Sequence, residues 1–219
     1  MLSPSMMCAD FLHLQEELDA LKKEQVDFLH IDIMDGQYVP NFTLGGSIAR
    51  SMYEYSNISL DYHLMVRDVD RSVDMFTEQP GAIVTIHPET SHHPVRTINR
   101  IRERGCRPGI AIDPAMSLEQ VRYLLPLVDV ACIMTVNPGY SGQQLLPFCL
   151  DKLALLDEWR RQDYPELLIE VDGNVSWENI PKMTAAGADI LVLGTSSVFT
   201  PSSSRCVAYE KLHQIIAQA

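Results

Sequence analysis

The segment FLHIDIMDG (28–36) places His30, Asp32 and Met34 at alternate positions, and on a strand alternate side chains share one face. A histidine and an aspartate turned into a packed interior are costly unless something satisfies them, and a metal ion would do so. LDYHLMV (60–66) repeats the spacing with His63 and Met65, and LIEVDGN (168–174) repeats it with Glu170 and Asp172. His30, Asp32, His63 and Asp172 can therefore converge at one rim. Two imidazoles and two carboxylates suit one divalent ion: zinc, manganese, iron or cobalt. Glu170 reads as structural, holding a neighbour or a loop. Each residue alone has a plainer account. A buried histidine is most often a hydrogen-bonded structural residue. Asp172 before Gly173, and Asp35 before Gly36, read as turn residues. What favours a metal site is the coincidence of these residue types at predicted strand ends.

Two loops suit an anion. In MTVNPGYSGQQLLP (134–147), Gly139 and Gly142 flank a flexible turn with Tyr140 and Ser141 between them; LVLGTSSVF (191–199) carries Gly194, Thr195 and Ser196. Glycines let backbone N–H groups approach an anion, although ordinary turns would also explain them. Met34, Met65 and Met134 end three strand candidates. Core packing is the default for methionine, and their position also fits an apolar collar around a reacting carbon. All five lysines, Lys22, Lys23, Lys152, Lys182 and Lys211, fall on predicted helices. Schiff-base chemistry, which needs a lysine in the mouth, is thereby disfavoured, and a bound phosphate must rely on backbone amides and helix-terminal dipoles.

These residues need a scaffold. Short apolar runs recur at 2–7, 28–34, 59–65, 82–86, 108–112, 128–134, 167–171 and 190–193. Helical patterns follow at 11–24, 94–104, 118–125, 147–161, 177–186 and 209–217, with weaker ones at 47–55 and 69–76. This rhythm predicts a single (β/α)8 barrel domain over 1–219, with chemistry at the C-terminal strand ends. An open doubly wound sheet is the runner-up, but the Gly-rich turn after its first strand is missing.

The net charge of −12 repels phosphate backbones and argues against nucleic-acid binding; an anionic substrate must be captured by a local device. The cysteines, Cys8, Cys106, Cys132, Cys149 and Cys206, are odd in number, have no CxxC pair and read as reduced thiols. The N-terminal segment carries acidic residues where a signal peptide needs an apolar run, and no apolar stretch approaches the ~20 residues of a membrane span. The expectation is a cytoplasmic protein without membrane contact.

Seven segments carry a resemblance: SPSMMCADF (3–11), HIDIMDGQYVPNFTLG (30–45), DYHLMV (61–66), TIHPE (85–89), MTVNPGYSGQ (134–143), EVDGN (170–174) and GADILVLGTSSVF (187–199). On these the chain resembles the ribulose-phosphate 3-epimerase family from end to end. Within it, SMMCAD, HPET and GTS look more like the D-allulose-6-phosphate 3-epimerases. The resemblance implies that His30, Asp32, His63 and Asp172 bind a divalent metal and that Asp32 and Asp172 are the two acid/base groups. It implies that Ser5 and His63 contact substrate. It implies that Gly139, Tyr140, Ser141, Gly142, Gly194 and Thr195 hold the phosphate, with Asp172, Gly173 and Asn174 adjacent. Asn174 and Thr195 stand where ribulose-phosphate enzymes usually carry glycine and serine, which bears on the substrate rather than the reaction. A homo-oligomer is implied as well.

The expected reaction is inversion at C3 of a ketose phosphate through an enediolate, one aspartate on each face. D-allulose 6-phosphate to D-fructose 6-phosphate is the leading reading, and D-ribulose 5-phosphate to D-xylulose 5-phosphate the alternative. A decarboxylase or synthase on the same barrel would want a lysine beside Asp32, and FLHIDIMDG has none. A non-catalytic sugar-phosphate-binding barrel would need no matched pair of proton-transfer groups.

Overall fold

Alternation of strand and helix along the chain produces a nearly closed parallel barrel. In the computed structural model, which describes residues 1–200 and 204–217, the strands are β1 (Leu2–Pro4), β2 (Phe28–Met34), β3 (Ser59–Met65), β4 (Ile83–Ile86), β5 (Arg107–Ile112), β6 (Val130–Met134), β7 (Leu168–Asp172) and β8 (Ile190–Leu193). The hydrogen-bonded order is β1-β8-β7-β6-β5-β4-β3-β2, every pair parallel. A single parallel bridge, Ser5 to His30, joins β1's end to β2. Each strand feeds an outer helix: α1 (Leu14–Lys23), α2 (Gly46–Ser56), α3 (Val69–Ser72), α4 (Pro94–Glu103), α5 (Leu118–Val121), α6 (Phe148–Asp163), α7 (Ile180–Ala185) and α8 (Arg205–Ile216).

The helices dock by narrow apolar stripes. In α4 the buried residues are Thr97, Ile98 and Ile101, one face at helical spacing, with Pro94 opening the first turn. Burying each isoleucine contributes about 1.5–3 kcal/mol. Gly105, at φ +79°, turns the chain from α4 into β5, a left-handed conformation that glycine adopts without strain.

Inside the barrel, Phe28, Ile83, Val130 and Ile190 of the even strands pack into an apolar plug at the bottom. They match the layered filling of such barrels by alternate strands. Above the plug the interior turns polar: Ser3, Asp61 and Glu170 are wholly buried, and the Ser3 hydroxyl donates to Oδ2 of Asp61 at 2.8 Å. Gly109 belongs to the same crowded level, because a Cβ there would collide with Oγ1 of Thr85.

Several boundaries differ from the sequence reading, each for a local reason. The first strand stops at Pro4 rather than 7, since Met6–Cys8 forms a 3-10 turn that lifts the chain off the rim. The helix expected at 118–125 keeps only Leu118–Val121, followed by a 3-10 turn at Leu125–Leu127; Pro126 cannot donate to continue an α-helix. The segment expected at 177–186 is helical only over Ile180–Ala185. The weaker 47–55 pattern is a full helix, whereas 69–76 splits into α3 and a 3-10 turn. The helix expected from 209 starts at Arg205, whose guanidinium grips both carboxylate oxygens of Glu17 in α1 at 2.7 Å.

Candidate active site

Two-residue periodicity delivers the predicted ligand residues to the C-terminal end of the barrel. His30 and Asp32 point inward from β2, His63 from β3 and Asp172 from the last position of β7. Register brings them level, Asp32 pairing with His63. One donor atom from each of the four lies within 4.8 Å of all the others. His30 Nε2 is 3.4 Å from Asp32 Oδ1 and 4.0 Å from Asp172 Oδ2. His63 Nδ1 is 3.6 Å from Asp32 Oδ1 and 3.4 Å from Asp172 Oδ2.

This spacing tests the site for a metal. With bonds of ~2.0–2.1 Å, tetrahedral donors stand ~3.3–3.4 Å apart, close to the separations found. His30 Nε2 and His63 Nδ1 are buried and have no hydrogen-bond partner among the described residues. Two bare nitrogens facing two carboxylates fit a divalent cation.

The field at the site is strongly anionic. Burial works to lower the His30 pKa, but the Asp61 and Asp32 carboxylates outweigh it and hold it well above the usual imidazole value. Burial opposes charge on His63 too, yet the neighbouring Asp172 and Asp32 carboxylates lift it to about 9. Burial tends to raise Asp32, but the two histidines pull it far below the ordinary carboxylate range. A site that attracts protons onto imidazoles in this way attracts a divalent cation by the same field.

A second layer of polar groups surrounds these candidate ligands. Nδ1 of His30 lies 2.7 Å from Asp61 Oδ2 and 3.6 Å from Glu170 Oε1. Burial and the adjacent Asp61 push the Glu170 carboxyl up to about 8. Glu170 packs directly against His30, on the side away from Asp32 and Asp172. The Ser5 hydroxyl donates to Asp32 Oδ2 at 2.6 Å. On the other side, His63 Nε2 faces His87 Nε2 at 2.8 Å, and His87 meets Tyr38 and Asp113. Burial, followed by the bond to Glu89, pushes the Tyr38 phenol far up, so it is a neutral hydrogen-bonding group.

Above the ligands one cavity is lined by Ser5, Asp32, Met34, Met65, Met134, Gly139, Tyr140, Ser141, Gly142, Asp172, Gly173, Asn174, Gly194 and Thr195, all of them predicted. Met7, Cys8, Val136, Asn137, Pro138, Gln143, Val175, Val192 and Ser196 also line it and were not predicted as site residues. The Cys8 thiol, raised to about 11 by burial and Asp32, is a neutral wall group. His63 is completely buried and lies below this lining. No lysine or arginine lines the cavity among the described residues.

The two carboxylates expected to do the chemistry are thus together at the floor of one cavity. The model of the Ribulose-phosphate 3 epimerase family matches residues 1–199. The chain belongs to the ribulose-phosphate 3-epimerase family. It is an isomerase of the carbohydrate-epimerase kind. A ribulose-phosphate 3-epimerase of Helicobacter pylori strain J99 is 38% identical over 213 residues, 97% of this chain and 96% of that protein. One from Escherichia coli strain K12 is 37% identical over 208 residues, 94% and 92% of the two chains. Among solved structures, 3-hexulose-6-phosphate synthase from Salmonella typhimurium superposes with a TM-score of 0.71 at 17% identity, covering 99% of this chain and 98% of that one. A tryptophan synthase alpha-subunit from Pyrococcus furiosus gives 0.66 at 14% identity, with 99% and 97% covered. At such identities the likeness is one of fold. No helix among the described residues is long and apolar enough to cross a membrane.

The residues of this epimerase that sequence reading missed are Asp61, His87, Tyr38, Glu89 and Asp113. Asp61 was findable, since it stands two residues before His63 and shares its face. His87 follows β4 within TIHPE, a segment matched to the family without a role. Tyr38 and Asp113 lie in loops and Glu89 in the single 3-10 turn Pro88–Thr90, where no periodicity exists to reveal them. In the loop expected to hold the anion, Gly139 and Gly142 adopt φ +116° and +85°, conformations that favour glycine. Gly194 differs: a Cβ there would meet only Cys8 Sγ, at an ordinary 3.6 Å.

Proposed function

We propose that this chain interconverts D-ribulose 5-phosphate and D-xylulose 5-phosphate by inverting C3. The observation that carries this is the approach of Asp32 and Asp172, from β2 and β7, to within 4.8 Å of each other at the cavity floor. In a 2-ketose the C3 proton is acidic because the carbanion conjugates with the C2 carbonyl. Inversion needs removal on one face and delivery on the other, and two carboxylates on different strands do this without turning the intermediate over.

His30, Asp32, His63 and Asp172 would hold the divalent ion, zinc, manganese, iron or cobalt. When bound it supplies Lewis-acid stabilisation of the negative charge that develops at the sugar oxygens. Ser5, donating to Asp32, fixes the carboxylate that faces the reacting carbon. Met34, Met65 and Met134 form the apolar collar that keeps water from the enediolate. The phosphate lies among residues 139–142, Gly173 with Asn174, and Gly194 with Thr195, held by backbone N–H groups since the lining offers no cationic side chain. The reading carries with it a cytoplasmic location, a single catalytic domain over 1–219 and assembly as a homo-oligomer.

D-allulose 6-phosphate is the second reading, favoured by Asn174 and Thr195 at the phosphate end and by the SMMCAD and HPET segments. The named relatives support the five-carbon sugar more than this first expectation. The two sugars share the reacting end, and one methylene-sized difference discriminates by only ~1–3 kcal/mol, so some turnover of both is expected. The test is kcat/KM on both ketose phosphates in D2O, with metal analysis of the protein. Deuterium entering C3, with the pentulose favoured, supports the proposal. Binding without exchange at C3 on either sugar refutes it, and a preference for the hexulose selects the second reading.

A further inference from the structure

The two ligand histidines are supported differently. His30 leans directly on a carboxylate, Asp61. His63 leans on another imidazole: its Nε2 is 2.8 Å from Nε2 of His87. His87 is completely buried, and the two rings meet edge to edge, with centroids 5.0 Å apart and planes 24° from parallel.

One proton arrangement satisfies this pair when a cation is bound. For Nδ1 of His63 to present a lone pair, the ring's single proton must sit on Nε2. That N–H donates to Nε2 of His87, so His87 carries its own proton on Nδ1. The Tyr38 hydroxyl stands there as the acceptor at 2.9 Å, with the Asp113 carboxylate 3.1 Å away adding its charge. Tyr38 then donates to Glu89 Oε1 at 2.7 Å. Every donor points away from His63, and the chain ends on two partly exposed carboxylates, 27% exposed for Asp113 and 36% for Glu89.

We propose that His87 is a positioning residue, which fixes the tautomer and ring plane of His63 and ties the cation site to the Tyr38 loop. This rests on the divalent-cation reading given above. A neutral imidazole is the physically sensible support here. Asp32, Asp172 and Asp61 already place three carboxylates around the ligands, and a further one beside His63 would add repulsion at short range. Interposing His87 keeps the orienting hydrogen bond and moves the charge of Asp113 outward. Tyr38 belongs to the β2–α2 loop, and that loop also reaches the opposite rim, where Asn41 Nδ2 donates to the Gly139 carbonyl at 3.1 Å. His87 therefore joins the ligand set to a loop that spans the mouth.

The test measures zinc or manganese binding alone, by competition with a chromophoric chelator, on metal-stripped full-length protein without substrate. His87→Leu should weaken binding ~10–100-fold, the usual effect of losing an outer-shell partner. His87→Gln, whose amide oxygen can still accept from His63, should stay close to the parent. Thermal melts of the stripped proteins check folding. Nitrogen-15 spectra of the zinc-loaded parent need no mutation and should show His63 protonated at Nε2 and His87 at Nδ1. Parent-like affinity in His87→Leu, an equal loss in His87→Gln, or His87 protonated at Nε2 would each overturn the proposal. A parent that binds neither metal overturns it together with the cation reading, whereas a binding parent with an indifferent His87→Leu overturns the positioning role alone.

Discussion

Asn174 is the residue through which the proposed anion end can be tested most sharply. Its backbone sits at φ +46°, a left-handed conformation that asparagine tolerates better than other L-residues. Its Oδ1 accepts from Leu145 N at 3.1 Å and Asn179 Nδ2 at 3.0 Å, and its Nδ2 donates to Ser196 Oγ at 3.2 Å. One side chain thus ties together the loops after β6, β7 and β8. At about 1 kcal/mol per half-exposed bond, with water recovering part of it, Asn174→Ala should lose about 2 kcal/mol in bonds and about 1 more for a left-handed alanine. Asn174→Gly loses the bonds but not the backbone term, so about 2 kcal/mol. At ~2–4 °C per kcal/mol for a chain of this size, the melting temperature should fall ~6–12 °C for alanine and ~4–8 °C for glycine. Loosened loops should also raise KM, and weaken competition by inorganic phosphate, more than they lower kcat. Calorimetry with and without phosphate, alongside steady-state kinetics, measures both effects. Parent-like melting and KM in both variants would refute the clamp, and a glycine variant less stable than the alanine one would refute the backbone argument.

Three further outcomes are expected. Asp32→Asn and Asp172→Asn should each lower turnover by at least ~10²–10⁴-fold, the usual scale for a lost acid/base group, while far-UV circular dichroism stays unchanged; near-normal epimerisation in either variant would end the two-base scheme. Gly109→Ala should destabilise the barrel by about 1–3 kcal/mol in urea titrations because its Cβ meets Oγ1 of Thr85, and adding Thr85→Ala should restore part of the loss; strict additivity of the two would show that the clash is not the cause. Burial tends to raise the Asp70 carboxyl, but hydrogen bonds from Ser91, Thr97 and the His92 amide hold it below its ordinary value. A depressed carboxyl contributes stability above its unfolded value near ~3.9 and loses it as pH falls through the folded one. Denaturant midpoints should therefore drop more steeply below about pH 4 for the parent than for Asp70→Asn, and parallel curves would contradict this.

Much of the site was legible because strand parity is a short-range rule. His30, Asp32, His63 and Asp172 could be placed on inward faces from spacing alone, and β2 and β3 were bounded at the same residues that the fold shows. Helix ends were less legible where turns compete with them, as at Pro126 and in the short α7. Asn174, read from sequence as a neighbour of the phosphate, turns out to be a tie between three loops. Its partners Leu145 and Ser196 lie 29 and 22 residues away, at distances no local pattern encodes.

The amino-acid sequence by itself determined the element rhythm, the inward-facing residue types and the absence of a lysine among them, since each follows from neighbours a few positions apart. Only the tertiary structure decided that β2, β3 and β7 bring their donors to one point, and that His63 is backed by His87 while His30 is backed by Asp61. The reason is geometric. Strand register and barrel closure set which residues of distant segments meet, and these depend on the packing of the whole ring rather than on any segment of it.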